Sequence, residues 1–148
     1  MEQSAVDISC QPEDFLKEEN VIVHSGASGN ERKYLKLPFF CNLVSYGNNV
    51  VASIDPEVMH IVKDYLERYD KVHCFETPNM QVLNDAFQKF GHRICFMAEY
   101  FLPELSALKP RECGYELRIL QKEDFAPLYT GQWDNALCKD RKELDVLG

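Results

Sequence analysis

The strongest constraint on what this chain can fold into is the stretch Lys71–Leu102, KVHCFETPNMQVLNDAFQKFGHRICFMAEYFL. Its apolar pattern changes period twice, so it reads as strand, helix, strand. Val72 to Phe75 is a short apolar run with β-branched and aromatic character, the composition of a buried strand. Thr77 is a competent N-cap, and Pro78 sets φ for the first helical turn after it. Val82, Leu83, Ala86, Phe87 and Phe90 then form one apolar stripe at helical spacing. Gly91 supplies the left-handed stop. From Ile94 to Phe101, Ile94, Phe96, Ala98 and Tyr100 alternate with Cys95, Met97, Glu99 and Phe101. Both faces are nearly apolar, which predicts a central strand.

The rest of the chain divides by the same rules. Residues 1–11 lack an apolar pattern and are expected to fray. Pro12–Asn20 predicts a short acidic helix anchored by Phe15 and Leu16. Val21–His24 is a short strand, and Ser25–Asn30 (SGASGN) a flexible turn. Leu37–Tyr46 and Val50–Ile54 read as two strands joined by Gly47-Asn48-Asn49, residues that tolerate positive φ and suit a hairpin. Pro38 points to an edge position for the first of them. Asp55-Pro56 starts a helix, with a carboxylate cap and then proline in the first turn. Val58, Ile61, Val62, Tyr65, Leu66 and Tyr69 make its buried face, and each large side chain there contributes roughly 1.5–3 kcal/mol before entropy.

Pro103–Gly114 carries two prolines and a glycine and is the candidate boundary. Beyond it come a strand at Tyr115–Leu120, a short helix at Lys122–Tyr129, a break at Thr130-Gly131 and a helix from Trp133 to Leu147. The expected organisation is a domain over 1–108, a linker over 109–114 and the incomplete start of a second domain over 115–148. The fold class is α/β in the layered α+β sense.

Composition limits the function. The chain has 148 residues, 45% of them hydrophobic and 27% charged, which is globular composition. Its net charge of −8, without Lys or Arg clusters, argues against a nucleic-acid or anionic-membrane surface. No apolar run reaches transmembrane length, and the N-terminus does not read as a signal peptide. The six cysteines have no C-x-x-C spacing and are expected to be free thiols in a reducing cytoplasm.

Several reactive residues deserve weighing by geometry. His73, Cys74 and Glu76 sit together, and Cys95 and Glu99 would lie nearby if their strands pair. His73 and Cys74 would point to opposite faces of a strand and cannot form a nucleophile–base pair; Cys95 with His73 could. Zinc ligation by His60, His73, His92 and Cys95 lacks the usual ligand spacing. Glu76-Thr77-Pro78-Asn79 lies between a strand end and a helix start, where open α/β sheets bind ligands. It reads either as a capped loop or as a small pocket with Glu76 and Asn79 as polar anchors and Glu99 beside them.

The segment YELRILQKEDFAPLYTGQWDNALCKDRKELDVLG resembles the opening of a GNAT-family N-acetyltransferase domain. Together with HCFETPN and ICFMAEYFLP, it resembles the front part of bacterial GNAT proteins in which a divergent N-terminal region precedes the acetyltransferase domain. The resemblance implies a mixed, mostly antiparallel sheet with flanking helices, acetyl-CoA as the family's cofactor and an acceptor-amine region at Trp133, Asn135 and Arg141. For Trp133 the alternative is simple core filling. The family's pyrophosphate loop, Gln/Arg-x-x-Gly-x-Gly/Ala entering a helix, needs small residues so that backbone N–H groups approach phosphate. No such loop is present: Arg111–Glu116 leads into a strand, Gln88–Arg93 lies at a helix exit, and Ser53-Ile54-Asp55 places a carboxylate at the expected position. The chain is therefore expected to be the N-terminal part of an acetyl-CoA-dependent N-acetyltransferase, not catalytically competent by itself and not a tight coenzyme binder. The alternative is a non-catalytic GNAT-like interaction or small-ligand module, with a homodimer formed through residues 115–148.

Overall fold

The computed structural model describes residues 1–32, 35–101, 104–109, 112–116, 118 and 120–133. The chain forms two compact units, Met1–Met97 and Ala98–Gly148. The architecture is mixed α/β, built on a small three-stranded mixed sheet with flanking helices.

The first unit is organised around a strand that the hairpin pattern located correctly. β1 (Val21–His24), β2 (Cys41–Val44) and β3 (Val51–Ile54) lie in the order β1-β3-β2. β3 pairs in parallel with β1, Val21 opposite Val51, and antiparallel with β2, Val44 opposite Val51. All of β3 is buried. Because side chains alternate, Ala52 and Ile54 face one layer and Val51 the other. The two layers come from opposite ends of the unit.

On the Ala52/Ile54 face lie α2 (Met59–Arg68) and α3 (Thr77–Gln88). Val58, Val62, Tyr65 and Leu66 are buried there, with Ile61 and Tyr69 packed against them, as the amphipathic pattern requires. α3 adds Leu83 and Phe87, with Ala86 and Phe90 at the margin and Val82 exposed. Phe40, just before β2, meets Phe87 edge-on at 5.6 Å and stacks on His92 at 4.0 Å. The start signals differ slightly. Asp55 caps the 3₁₀ turn Pro56–Val58 by accepting from the Glu57 N–H, and α2 follows. Thr77 is the first residue of α3 rather than its cap; the capping position belongs to Glu76, whose carbonyl accepts from Asn79 and Met80. Gly91, at φ 76°, ends the helix as expected, with His92 N–H returning to the Phe87 carbonyl.

The Val51 face is covered by residues expected to fray. Glu2–Ile8 form α1, and Ala5 and Ile8 are buried beside Phe15 and Val51. The reason is tertiary: β3 is apolar on its second face, and α1 supplies the cover. The acidic segment is a 3₁₀ turn, Pro12–Leu16. Phe15 anchors it at 0% exposure, whereas Leu16 is 57% exposed and anchors nothing. Buried Asp7 accepts from Gln3 and from the Arg32 backbone, and pairs with the Arg32 guanidinium at 3.0 Å.

Two expected strands are absent. Val72–Phe75 is a turn, its 3₁₀ segment running His73–Phe75. Its backbone is captured locally, since the Asp70 carboxylate accepts from the N–H groups of Val72 and His73 and the Asp70 carbonyl accepts from Cys74. Residues 94–101 carry no regular element and are exposed. Alternation makes a segment compatible with a sheet but does not supply a neighbour, and the strand expected beside it does not exist. The first hairpin strand also begins at Cys41 rather than Leu37.

The second unit holds short elements. Glu104 organises the 3₁₀ turn Leu105–Ala107 by accepting from the Ser106 N–H and hydroxyl. α4 (Lys122–Phe125) begins where Asp124 accepts from the Gln121 N–H, and it continues into the 3₁₀ turn Ala126–Leu128, within the helix expected at Lys122–Tyr129. The expected strand Tyr115–Leu120 includes Leu117 and Ile119, which lie outside the described residues. The expected helix Trp133–Leu147 begins in the 3₁₀ turn Gly131–Trp133, and its remainder also lies outside them.

Candidate functional site

The residues singled out at the entrance to α3 do come together, in the connection between α2 and α3. Asp70 opens it. Besides holding two backbone N–H groups, its carboxylate meets His73 Nδ1 at 2.9 Å through either oxygen. His73 Nε2 lies 4.0 Å from Glu76 Oε1. Asn79 donates from Nδ2 to the His73 carbonyl at 2.9 Å and to Glu76 Oε2 at 3.4 Å. Beneath, the Tyr65 hydroxyl donates to the Cys74 carbonyl at 2.6 Å. Lys71 Nζ reaches the Asn48 carbonyl at 2.8 Å and ties the turn to the hairpin.

This arrangement is a self-satisfied turn. The amide of Asn79 is spent on holding the loop, and Asp70, His73 and Glu76 stand more than half exposed, with side-chain exposures of 63%, 57% and 52%. No walls close around them to hold a substrate out of water. Of the two readings of Glu76–Asn79, the capped loop describes the geometry. Glu99 lies exposed in a stretch without regular structure, in the second unit.

Electrostatics follow from the bonds. The N–H of His73, then its ring, then the N–H of Val72 depress the Asp70 carboxyl to a pKa of about 2. The hydrogen bond that its ring N–H donates to Asp70, then the charge of Asp70 and that of Glu76, raise His73 above the ordinary imidazole range. A depressed carboxyl stabilises the fold above its unfolded pKa and loses that contribution as pH falls toward about 2. A raised imidazole stabilises below its unfolded pKa and loses that as pH rises through the folded value. The two together favour the turn between the usual carboxylate range and the raised histidine value, an effect that solvent screens at this exposure. In an NMR pH titration, His73 is expected to titrate above the usual histidine range and to move back toward it in Asp70→Asn. An unmoved midpoint in that variant contradicts the assignment.

The described cysteines are all free. Cys74 is fully buried and burial raises its thiol to about 11; burial raises Cys41 to about 12, and burial followed by the charge of Asp14 raises Cys10 to about 11. None of the three offers a thiolate nucleophile near neutral pH. Cys74 sits in a turn rather than on a strand face, so the alternation argument about His73 and Cys74 does not apply. The strand pairing that would set Cys95 beside His73 is missing as well. Among the described residues, no group of three or more His, Cys, Asp and Glu is disposed to hold a metal ion. No helix among them is long and apolar enough to cross a membrane.

The positions that would have to grip a coenzyme diphosphate are occupied by the chain itself. At the start of the helix after β3, Asp55 Oδ1 accepts from Glu57 N at 2.9 Å, so a carboxylate already fills the place of a phosphate. At Gln88–Arg93 the N–H groups of Phe90, Gly91 and His92 are donated to the Phe87 and Gln88 carbonyls. The backbone donors at both places are thus already bonded within the chain. Trp133 falls in the 3₁₀ turn Gly131–Trp133, while Asn135, Arg141 and Arg111 lie outside the described residues.

Comparison with protein-family models, with curated proteins and with solved structures gives no match. The chemistry therefore has to be read from the residues. One feature that the sequence concealed is the loop after β1, SGASGNE, which resembles a flexible turn. There the Glu31 carboxylate accepts from the backbone of Ser28 and Gly29. Its signal was a glutamate directly following a run of small residues, visible only once the loop is seen folded back on it.

Proposed function

We propose that this chain is a non-catalytic module of GNAT type, belonging to an acetyl-CoA-dependent N-acetyltransferase but standing beside the chemistry rather than performing it. The observation that carries the non-catalytic part is the Asp55 carboxylate on the Glu57 N–H at 2.9 Å. A diphosphate placed there meets a like charge instead of free donors. The role that fits is interaction with another chain. Phe96, Tyr100 and Phe101, 52%, 75% and 88% exposed, are apolar side chains that a partner could cover.

Isothermal titration of the full chain with acetyl-CoA tests this reading. The expected result is no saturable heat up to a ligand concentration of about 1 mM, the range of binding worth roughly 4 kcal/mol. Saturation at micromolar ligand overturns it.

A further inference from the structure

β2 is an edge strand, since the order β1-β3-β2 gives it one neighbour in the sheet. Which of its backbone groups face outward follows from the register. The Asp55 N–H donates to the Phe40 carbonyl at 2.9 Å, so Phe40 and Asp55 form a hydrogen-bonded pair of the antiparallel ladder. The next pairs of that kind are Asn42 with Ser53 and Val44 with Val51, whose N–H and C=O groups are spent between the two strands. The N–H and C=O of Cys41 and Leu43 therefore point away from β3. Ile54, opposite Cys41, agrees: its carbonyl accepts from Ser25, at the end of β1, on the other side of the sheet. Cys41 and Leu43 take no other backbone partner among the described residues, and all of β2 is only half-buried.

Sheet edges are ordinarily kept from pairing by charged side chains, by proline or by a covering element. From Leu37 to Ile54 the chain has no Asp, Glu, Lys or Arg, although 27% of its residues are charged, and Pro38 lies before β2 rather than in it. The other edge, β1, follows directly on Glu18-Glu19-Asn20. The missing charge also selects the partner. Two copies of a charged strand meeting about a twofold axis set like charges face to face, whereas an uncharged strand is complementary to itself. In a chain of net charge −8, this stretch is where a second copy approaches with least repulsion. Just before β2, Phe39 meets Phe96 edge-on at 5.7 Å, and Phe96 stays 52% exposed, so an apolar surface continues the edge.

We propose that β2 is a self-pairing edge, through which two copies of this chain join antiparallel about a twofold axis into one continuous sheet. The register that satisfies both outward residues within the strand bonds Cys41 of each copy to Leu43 of the other and sets Asn42 opposite Asn42 on the axis. In that register the chain before β2 in one copy faces the chain beyond Val44 in the other, which covers Phe39 and Phe96. The pairing names a second copy as the partner in the interaction reading and rests on that reading for its role. The two fail separately, because coenzyme titration reports on one and self-association on the other.

The test combines sedimentation with amide hydrogen exchange on the ¹⁵N-labelled full chain, from about 10 µM to about 1 mM. Half-association is expected on the order of 10–100 µM, the weak range that suits a small interface. Over that series the Cys41 and Leu43 amides are expected to exchange about threefold or more slowly, while Asn42 and Val44, already bonded to β3, stay unchanged. Asn42→Asp and Asn42→Lys each set like charges opposite one another and are expected to weaken association about tenfold, whereas an equal mixture of the two restores it. A monomer at about 1 mM overturns the proposal, and so does association that leaves Cys41 and Leu43 exchange unchanged. Single variants that associate as well as the wild type overturn it too.

Discussion

Phe15→Ala is expected to destabilise the Met1–Met97 unit by about 3–5 kcal/mol, the range for emptying a fully enclosed aromatic site. The ring is 0% exposed, and it meets Tyr46 edge-on with centroids 5.0 Å apart. It also packs with Ala5, Ile8 and Val51, so it joins α1 and its own 3₁₀ turn to the central strand, more than thirty residues on. Removing it leaves a cavity that a turn and a short helix can collapse into only by giving up other contacts. The check is urea unfolding, with a lower midpoint and an unchanged slope. A loss below about 1 kcal/mol would mean that α1 detaches readily and that the second face of β3 needs no cover.

Asn49→Ala is expected to cost roughly 2–3 kcal/mol, for a different reason. Asn49 is buried at 1% exposure, and its Nδ2 donates to the Asp14 carbonyl at 2.8 Å and the Glu19 carbonyl at 2.9 Å. Truncation leaves both acceptors without that donor. Its Oδ1 is buried and unpartnered, so losing the oxygen costs no hydrogen bond and the penalty comes through the nitrogen alone. Asn49→Asp is expected to be worse than Asn49→Ala, because a carboxylate has no donor to offer two carbonyls. Finding Asn49→Asp the more stable of the two in urea would refute the assigned orientation of the amide.

These two side chains also show where sequence reasoning reached and where it stopped. Asn49 was legible as a turn residue in Gly47-Asn48-Asn49, and the hairpin it predicted forms. Nothing local indicated that its amide would hold the acidic turn more than thirty residues earlier. Phe15 was legible as an anchor, but α1, which it anchors, was not. Glu2–Ile8 shows no convincing stripe alone, and a seven-residue helix is marginal without tertiary support. The candidate site divides in the same way. Asp55, Pro56 and Gly91 act through their own backbone neighbourhoods, and each stands where its chemistry predicts. Glu76 and Asn79 were expected between a strand and a helix; the helix start is there, but a turn shaped by Asp70 replaces the strand, and Asn79 belongs to the first turn of α3.

The sequence by itself determined the local events: β1, the hairpin, the cap at Asp55, the buried stripes of α2 and α3 and the stop at Gly91. Those depend on φ preferences, capping bonds and periodicity within one or two turns of chain. Only the tertiary structure decided that β3 is the centre, that α1 covers its second face, that 72–75 turns, that 94–101 finds no neighbouring strand, and that Glu31 closes its own loop. Strand pairing and burial are properties of two segments at once, and one segment's alternation carries no information about whether the other arrives.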